Sequence, residues 1–230
     1  MRLDGICFSY TPGVRVLDNL CFEILDHCIN GLLGHNGAGK TTLLRILGGV
    51  LQPTEGELHF EGSGSPDSVG YMPEVGGVYE NLTGLQNMLF RCRVVGMGKQ
   101  AVQAACDRQV AALGMDGFVD SFVARYSFGQ KRRLALACAL LSDPSLLLLD
   151  EPTNGLDPET RVIVLKILQQ HQSQGATVVV ASHDLNMIAE ICPYVTLLHK
   201  GDVRFKGPMA TDCPVYDWYI DNTRDEEGVS

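Results

Sequence analysis

An α/β fold built around a phosphate-binding loop is what this sequence predicts, and three observations carry the prediction. Gly34-His35-Asn36-Gly37-Ala38-Gly39-Lys40-Thr41 spells G-x-x-x-x-G-K-[ST]. Short apolar runs rich in Leu, Ile and Val alternate with helical stretches, the pattern of a doubly wound, mainly parallel sheet. A single helical block, from about residue 80 to 142, interrupts that alternation and reads as an inserted subdomain.

Each element follows in order. Ile6-Cys7-Phe8-Ser9-Tyr10 reads as a strand, closed by the turn Thr11-Pro12-Gly13. Cys28 to Leu33 is an apolar strand leading into the glycine-rich loop, and Thr42 to Leu47 is the helix after it. Glu57 to Phe60 is a further strand, ended by Gly62-Ser63-Gly64-Ser65-Pro66. The helical block includes an Ala/Gln/Arg-rich run from Gln100 to Leu113. Leu146 to Leu149 is apolar without alternation, as a strand covered on both faces must be. A helix is expected around Glu159 to Gln172, a buried strand at Thr177 to Ala181, a helix from Asp184 to Cys192, and a last strand at Val195 to Leu198. The expected organisation is one domain over 1–220, with 1–75 and 143–210 as the core and 75–142 as the helical part. The polar residues 221–230 are expected to form a disordered acidic tail.

Composition narrows the function. The 230 residues suffice for one generous α/β domain, and 45% apolar with 20% charged residues is the balance of a globular protein. No run approaches the roughly 20 apolar residues of a membrane span; the longest candidate, Leu134 to Leu149, is broken by Ser142-Asp143-Pro144-Ser145. The start, Met1-Arg2-Leu3-Asp4-Gly5, lacks an apolar leader core, so no cleaved signal is expected. A net charge of −9 argues against a nucleic-acid surface. The eight cysteines form neither C-x-x-C nor a zinc spacing, and several sit in apolar runs as small buried hydrophobes, pointing to a reducing, cytoplasmic compartment. Lys131-Arg132-Arg133, the one compact basic run, is expected to be a solvated helix face.

The chemistry begins at the loop. Wrapping a triphosphate requires backbone N–H groups aimed inward, and glycine permits the dihedrals that aim them. Lys40 supplies a cation for the outer phosphates, the Thr41 hydroxyl is a Mg²⁺ ligand, and the helix N-terminus faces the anion. An ordinary Gly-rich turn is the bland alternative. Leu146-Leu147-Leu148-Leu149-Asp150-Glu151 places two acids at the carboxyl end of a parallel strand, where ligands bind in such sheets. Asp150 is the expected Mg²⁺ partner, and Glu151 can polarise an attacking water. A strand merely ending in acids is the competing reading.

Between these motifs stands Tyr126-Ser127-Phe128-Gly129-Gln130-Lys131-Arg132-Arg133. It resembles the L-S-G-G-Q signature of ATP-binding cassette (ABC) ATPases. Pro152-Thr153-Asn154-Gly155-Leu156-Asp157-Pro158 resembles that family's D-loop, Ser182-His183-Asp184 its switch histidine, and Gly70-Tyr71-Met72-Pro73-Glu74 its Q-loop, with Glu74 in place of Gln. Tyr10 stands where the family has an aromatic that stacks on adenine. The resemblance spans about residues 3 to 208, in the family's order. It implies a P-loop NTPase (RecA-like) core with an antiparallel β subdomain and an inserted helical subdomain.

The resemblance further implies a site shared by two cassettes paired head to tail. The triphosphate would lie on residues 34–42 (Gly34, His35, Asn36, Gly37, Ala38, Gly39, Lys40, Thr41 and Thr42). Ser127, Gly129 and Gln130 of the second copy would meet the γ-phosphate, Asp157 would act across the interface, and His183 would act within its own subunit. Lys40, Glu151 and His183 are then the catalytic set, and Thr41, Asp150 and Glu74 the Mg²⁺ set. Two motifs depart from the family pattern: in the signature Tyr126 replaces Leu and Phe128 the first Gly, so that loop must use an ordinary backbone conformation, and in the Q-loop Glu74 offers Mg²⁺ a charged oxygen instead of a neutral one. The implied function is an ATP-hydrolysing subunit that powers transport through a separate membrane permease. Exporters are the nearer match and an importer subunit the lesser one. The chain would then sit on the cytoplasmic face of a membrane, without nucleic acid as a partner. A soluble ABC ATPase of assembly, repair or translation is the alternative, and a P-loop kinase or GTPase leaves the signature and His183 unexplained.

Overall fold

The computed structural model describes residues 1–60, 68–209 and 214–224. The turn expected at Gly62 to Pro66, Cys213 and the tail from residue 225 lie outside the described residues. In chain order the elements are β1 (Arg2–Phe8), β2 (Leu17–Glu23), β3 (Ile29–Leu33), α1 (Lys40–Leu47), β4 (Glu55–His59), β5 (Val69–Met72), α2 (Gly84–Val94), α3 (Lys99–Ala112) and α4 (Phe128–Leu140). Then follow β6 (Leu146–Asp150), α5 (Pro158–Ser173), β7 (Thr177–Ser182), α6 (Leu185–Ile191), β8 (Tyr194–His199), β9 (Asp202–Pro208) and α7 (Val215–Thr223).

The chain divides into two compact units: Met1–Ser65 with Val179–Ser230, and Pro66–Val178. In the first, β1 is the middle strand of an antiparallel sheet ordered β2-β1-β4, pairing Leu3 with Phe22 and Arg2 with His59. β3 and β8 pair in parallel, Gly31 opposite Val195, and β9 returns antiparallel to β8. Every residue of β3 is buried, which explains its unbroken apolar run. α1 buries Leu43, Leu44, Ile46 and Leu47, so the helix that starts at the loop is anchored along its length.

In the second unit β5 and β6 pair in parallel, from Val69 opposite Leu146 to Met72 opposite Leu149. Ser68 and Ser145 clamp the start of the pair: the Ser145 amide donates to Ser68 Oγ at 3.2 Å, and Ser145 Oγ to the Ser68 carbonyl at 3.2 Å. The helices α2 and α4 each begin with a reciprocal capping box, Thr83 with Gln86 and Ser127 with Gln130. Their packed core includes Met88, Cys92, Cys106, Met115 and Cys138, all buried. Burial pushes the Cys106 and Cys138 thiols up to about 12, so they remain protonated and behave as hydrophobes. Cys21, by contrast, is exposed.

Four elements differ from the sequence expectation, the first being β5, which lies in the segment read only as the Q-loop. β2 gives no clear strand signal because register irregularities against β1 break its apolar alternation. β9 follows the expected last strand, Val195 to Leu198: Asp202-Val203-Arg204-Phe205-Lys206 alternates polar with apolar residues, a half-exposed strand pattern beyond the expected end of the sheet. α7 continues through Asp221, Asn222 and Thr223, where the sequence suggests an unstructured tail; Trp218 holds the helix, its ring edge-on to Phe205 at 5.0 Å.

Candidate functional site: a phosphate loop and an acidic strand end

The first unit carries the loop. Gly37 and Gly39 take positive φ, 83° and 102°. Gly39 caps α1 from the left-handed region, and a Cβ there would also lie 2.4 Å from Leu17 Cδ2, so only glycine serves. Lys40 is buried, and its ammonium donates to the carbonyls of Gly34 at 2.6 Å and His35 at 3.2 Å. The amine thus lies folded back along the loop it is expected to share with phosphate. The His35 ring packs edge-on to His199 at 5.1 Å, and His35 Nδ1 lies 2.7 Å from the Asn36 carbonyl.

Tyr10 is tied to the loop helix by its hydroxyl. Arg45 donates to that oxygen at 3.3 Å, and it lies 3.2 Å from Thr42 Oγ1. Its ring stands edge-on to Phe8 at 4.9 Å and is 55% exposed, leaving an aromatic surface for a planar ligand. His183 is exposed at the end of β7, where Asp184 caps α6 by accepting from the Met187 amide at 3.0 Å.

The second unit carries the acids and the signature. Asp150 ends β6 and Glu151 follows it; they are 1% and 4% exposed. Glu151 has φ +49°, a left-handed backbone that non-glycine residues adopt only when their surroundings impose it. Ser127 Oγ accepts from the Gln130 amide at 3.3 Å, and Gln130 Oε1 accepts from the Ser127 amide at 2.8 Å. Asp157 caps α5, accepting from the Thr160 amide at 2.9 Å and hydroxyl at 2.7 Å. These bonds to the ionised form lower its pKa. The Glu74 side chain is exposed.

The departures in the signature have local explanations. Phe128 begins α4 with ordinary dihedrals, and its ring lies over Gly155, where an added Cβ would come within 2.5 Å of two ring carbons. Gly155 itself has φ +71°, so glycine is required there twice over. Tyr126 is buried; its hydroxyl donates to the Phe118 carbonyl at 2.7 Å and its ring packs edge-on to Phe118.

The basic triplet is not a solvated face, and this corrects the sequence reading. Arg132 is 4% exposed. Its Nη1 donates to the carbonyls of Pro73 at 3.0 Å and Glu74 at 2.6 Å, and its Nη2 to those of Asp150 at 2.8 Å and Glu151. Burial lowers its pKa, opposed by the nearby carboxylates of Asp150, Glu74 and Glu151. Lys131 pairs with Glu80, and Arg133 stacks on Phe118 with its carbon 5.2 Å from the ring centre. A guanidinium can be buried when its terminal nitrogens find acceptors, as both do in Arg132, a condition that spacing alone cannot reveal.

Comparison with known proteins decides the family. A family model described as ABC transporter matches residues 17–154. The chain belongs to the ABC transporter family. It is 35% identical over 206 residues to the bacitracin transport ATP-binding protein BcrA of Bacillus licheniformis, covering 85% of this chain and 65% of that one. It is 32% identical over 223 residues to the methionine import ATP-binding protein MetN 2 of Paraburkholderia xenovorans, covering 89% of this chain and 57% of that one. Among solved structures, one described as the ATP-binding subunit of an ABC transporter superposes with a TM-score of 0.88 at 23% identity, covering 97% and 99% of the two chains. Another, a dimeric post-hydrolysis state of the cassette MJ0796 bound to ADP and Pi, gives 0.81 at 24% identity over 91% and 98%. This ABC ATPase therefore has the P-loop NTPase fold with an antiparallel sheet and helical parts. It is an ATP-binding subunit of the kind that powers transport, and no helix among its described residues is long and apolar enough to cross a membrane.

Proposed function

We propose that this ABC subunit drives export through a permease carried on a separate chain, working at the cytoplasmic face of the membrane as one of two cassettes. ATP stacks its adenine on Tyr10 and lays its phosphates along residues 34–42. Lys40 exchanges its loop carbonyls for phosphate oxygens. The Thr41 hydroxyl and the Asp150 carboxylate, with Glu74 nearby in the motif order, are the oxygens assigned to Mg²⁺; a hard cation takes such donors, and Asp150 is a buried carboxylate suited to one. When bound, the ion neutralises charge on the phosphates.

Glu151 orients the attacking water, and His183 contacts the γ-phosphate of its own subunit. Ser127, Gly129 and Gln130 of the second copy close over the γ-phosphate, with Asp157 at the dimer interface. The chemistry asks the protein mainly to position groups and stabilise charge. Export rests on the resemblance to exporter cassettes of Tyr71-Met72-Pro73-Glu74 with the close downstream Tyr79-Glu80-Asn81-Leu82-Thr83, and of the Tyr126-Ser127 variant; the methionine-import relative keeps the opposite direction as the outcome to test against.

The observation that carries the permease reading is an exposed apolar group on the second unit. Tyr79, Phe90, Val94 and Phe122 are 53%, 44%, 59% and 50% exposed. The Tyr79 and Phe90 rings pack edge-on at 5.2 Å, Val94 lies one turn further along α2, and Phe122 pairs its backbone with Thr83 at the start of that helix. Asn87 fixes the segment, accepting from the Tyr79 amide at 2.7 Å. Apolar side chains held rigidly in solvent suit a protein partner. Affinity purification of the tagged chain from detergent-solubilised membranes tests this. A stoichiometric multi-span protein, lost from a Phe90→Asp variant that still binds ATP, is expected. A soluble complex instead would move the chain to the non-transport ABC ATPases. Uptake of candidate substrates into inverted vesicles with ATP outside separates export from import.

A further inference from the structure

Arg132 is used by nothing in the scheme above, yet it is a buried cation inside the second unit with four backbone carbonyls around it. Two of them, Pro73 and Glu74, belong to the segment after β5. The other two, Asp150 and Glu151, belong to the end of β6. Both pairs are gripped by one planar group whose donors are fixed relative to each other. A shift of the 73–74 backbone is therefore passed directly to the backbone of the acids.

Glu151 is the place where such a shift matters. Its φ of +49° is a conformation that persists only where neighbours over-determine it. Its carbonyl is held from two sides, by Arg132 Nη2 and by the Asn154 amide at 3.2 Å. The Arg132 contacts leave the Glu151 carboxylate out of the grip, since all four bonds are to main-chain oxygens. The arginine thus sets where the glutamate stands without neutralising it through a direct bond.

We propose that Arg132 is a positioning residue for hydrolysis, its guanidinium locking the Glu151 backbone to the Pro73–Glu74 segment so that the glutamate's aim depends on where that segment sits. The proposal rests on the reading that Glu151 orients the attacking water. It also gives that segment, which runs on to the exposed Tyr79, a direct mechanical line to the reacting group. Arg133, one residue on, makes a useful contrast. Its hydrogen bonds run to the carbonyls of Leu113 and Gly114 and its plane stacks on Phe118, so none of them reaches the segments that Arg132 grips.

The test compares Arg132→Lys, Arg132→Met and Arg133→Gln in steady-state hydrolysis with thermal melting alongside. Lysine keeps the charge but cannot span four carbonyls. Misplacing a reacting group by about 1 Å costs on the order of a hundredfold, so Arg132→Lys is expected to lower kcat about tenfold to a hundredfold. Because Arg132 also holds the backbone of Asp150, which is assigned to Mg²⁺, KM is expected to rise, but by a smaller factor than kcat falls. Arg133→Gln should lower the melting temperature and leave kcat within about twofold.

The deciding measurement is the double variant Arg132→Lys with Glu151→Gln, in single-turnover hydrolysis. If Arg132 acts through Glu151, the double variant is no slower than Glu151→Gln alone. A second loss multiplying the first overturns the proposal, as does an Arg132→Lys enzyme with parental kcat. Failure of both Arg132 variants to fold while Arg133→Gln folds would also overturn it, making the arginine a folding residue. Parental turnover in Glu151→Gln alone is a different failure: it removes the role of Glu151 itself.

Discussion

Ser127 is expected to hold two jobs, and a single substitution separates them. Its hydroxyl oxygen accepts from the Gln130 amide and so caps α4; the proposed dimer also needs that hydroxyl at the γ-phosphate of the other copy. Ser127→Ala removes both. Loss of an N-cap costs about 1 kcal/mol, which for a chain of this size lowers the melting temperature by about 2–4 °C. A fall of that size leaves the chain folded at assay temperature, so it cannot account for a large loss of turnover.

Ser127→Asp divides the roles. Aspartate caps a helix as well as serine does and adds a favourable charge at its N-terminus, so stability should be kept or slightly raised. The same carboxylate would stand where the incoming γ-phosphate must sit. Two unit charges about 4 Å apart repel by about 4 kcal/mol at an effective dielectric near 20, or about a thousandfold in rate. The assay is ATP hydrolysis at saturating ATP beside a thermal melt of the same preparation. A Ser127→Asp enzyme that melts like the parent and turns over within about threefold of it would refute the placement of Ser127 against phosphate. A variant that melts like the parent and loses turnover supports it.

Lys40→Ala should weaken nucleotide binding and lower turnover by about a hundredfold or more, the scale for removing a preorganised charge; fluorescent-nucleotide titration and phosphate release check both. Glu151→Gln should bind ATP, hydrolyse it barely, and accumulate as a dimer, so light scattering that finds only monomer with ATP present counts against the paired cassettes. Gly155→Ala places a Cβ within 2.5 Å of the Phe128 ring and strains a φ of +71°; the left-handed backbone alone costs about 1–2 kcal/mol. Combining it with Phe128→Gly should relieve the steric part and leave the backbone part, which denaturant melts of the single and double variants will separate.

Local chemistry is legible in the sequence, and long-range chemistry is not. The loop at 34–42 announces itself because each residue acts where it stands: Gly39 must reach φ +102° and Lys40 must reach the loop's own carbonyls. Leu146 to Leu149 can be read as a buried strand because burial on both faces leaves a run without alternation. β9 carries a readable pattern that the sequence expectation passes over in ending the sheet at Leu198: Asp202-Val203-Arg204-Phe205-Lys206 alternates polar with apolar residues, as a half-exposed edge strand does. Ser127 and Asp157 stand out in the sequence for a phosphate and an interface rather than for their capping of α4 and α5, although S-x-x-Q and D-P-x-T are themselves capping patterns.

Arg132 shows where such reading stops. In the sequence it is the middle of three basic residues on a helix, and the composition of its neighbours favours solvent. Its burial depends on carbonyls 58 and 59 residues before it and 18 and 19 after it converging on one guanidinium. Main-chain oxygens carry no residue identity, so no motif can record that they are the acceptors. The cost of burying a lone charge makes the convergence informative all the same: without those partners the arginine could not stay in the interior. A cation retained there, bonded to backbone on two segments, holds those segments in one relative position. The acids at the end of β6 are what that position serves.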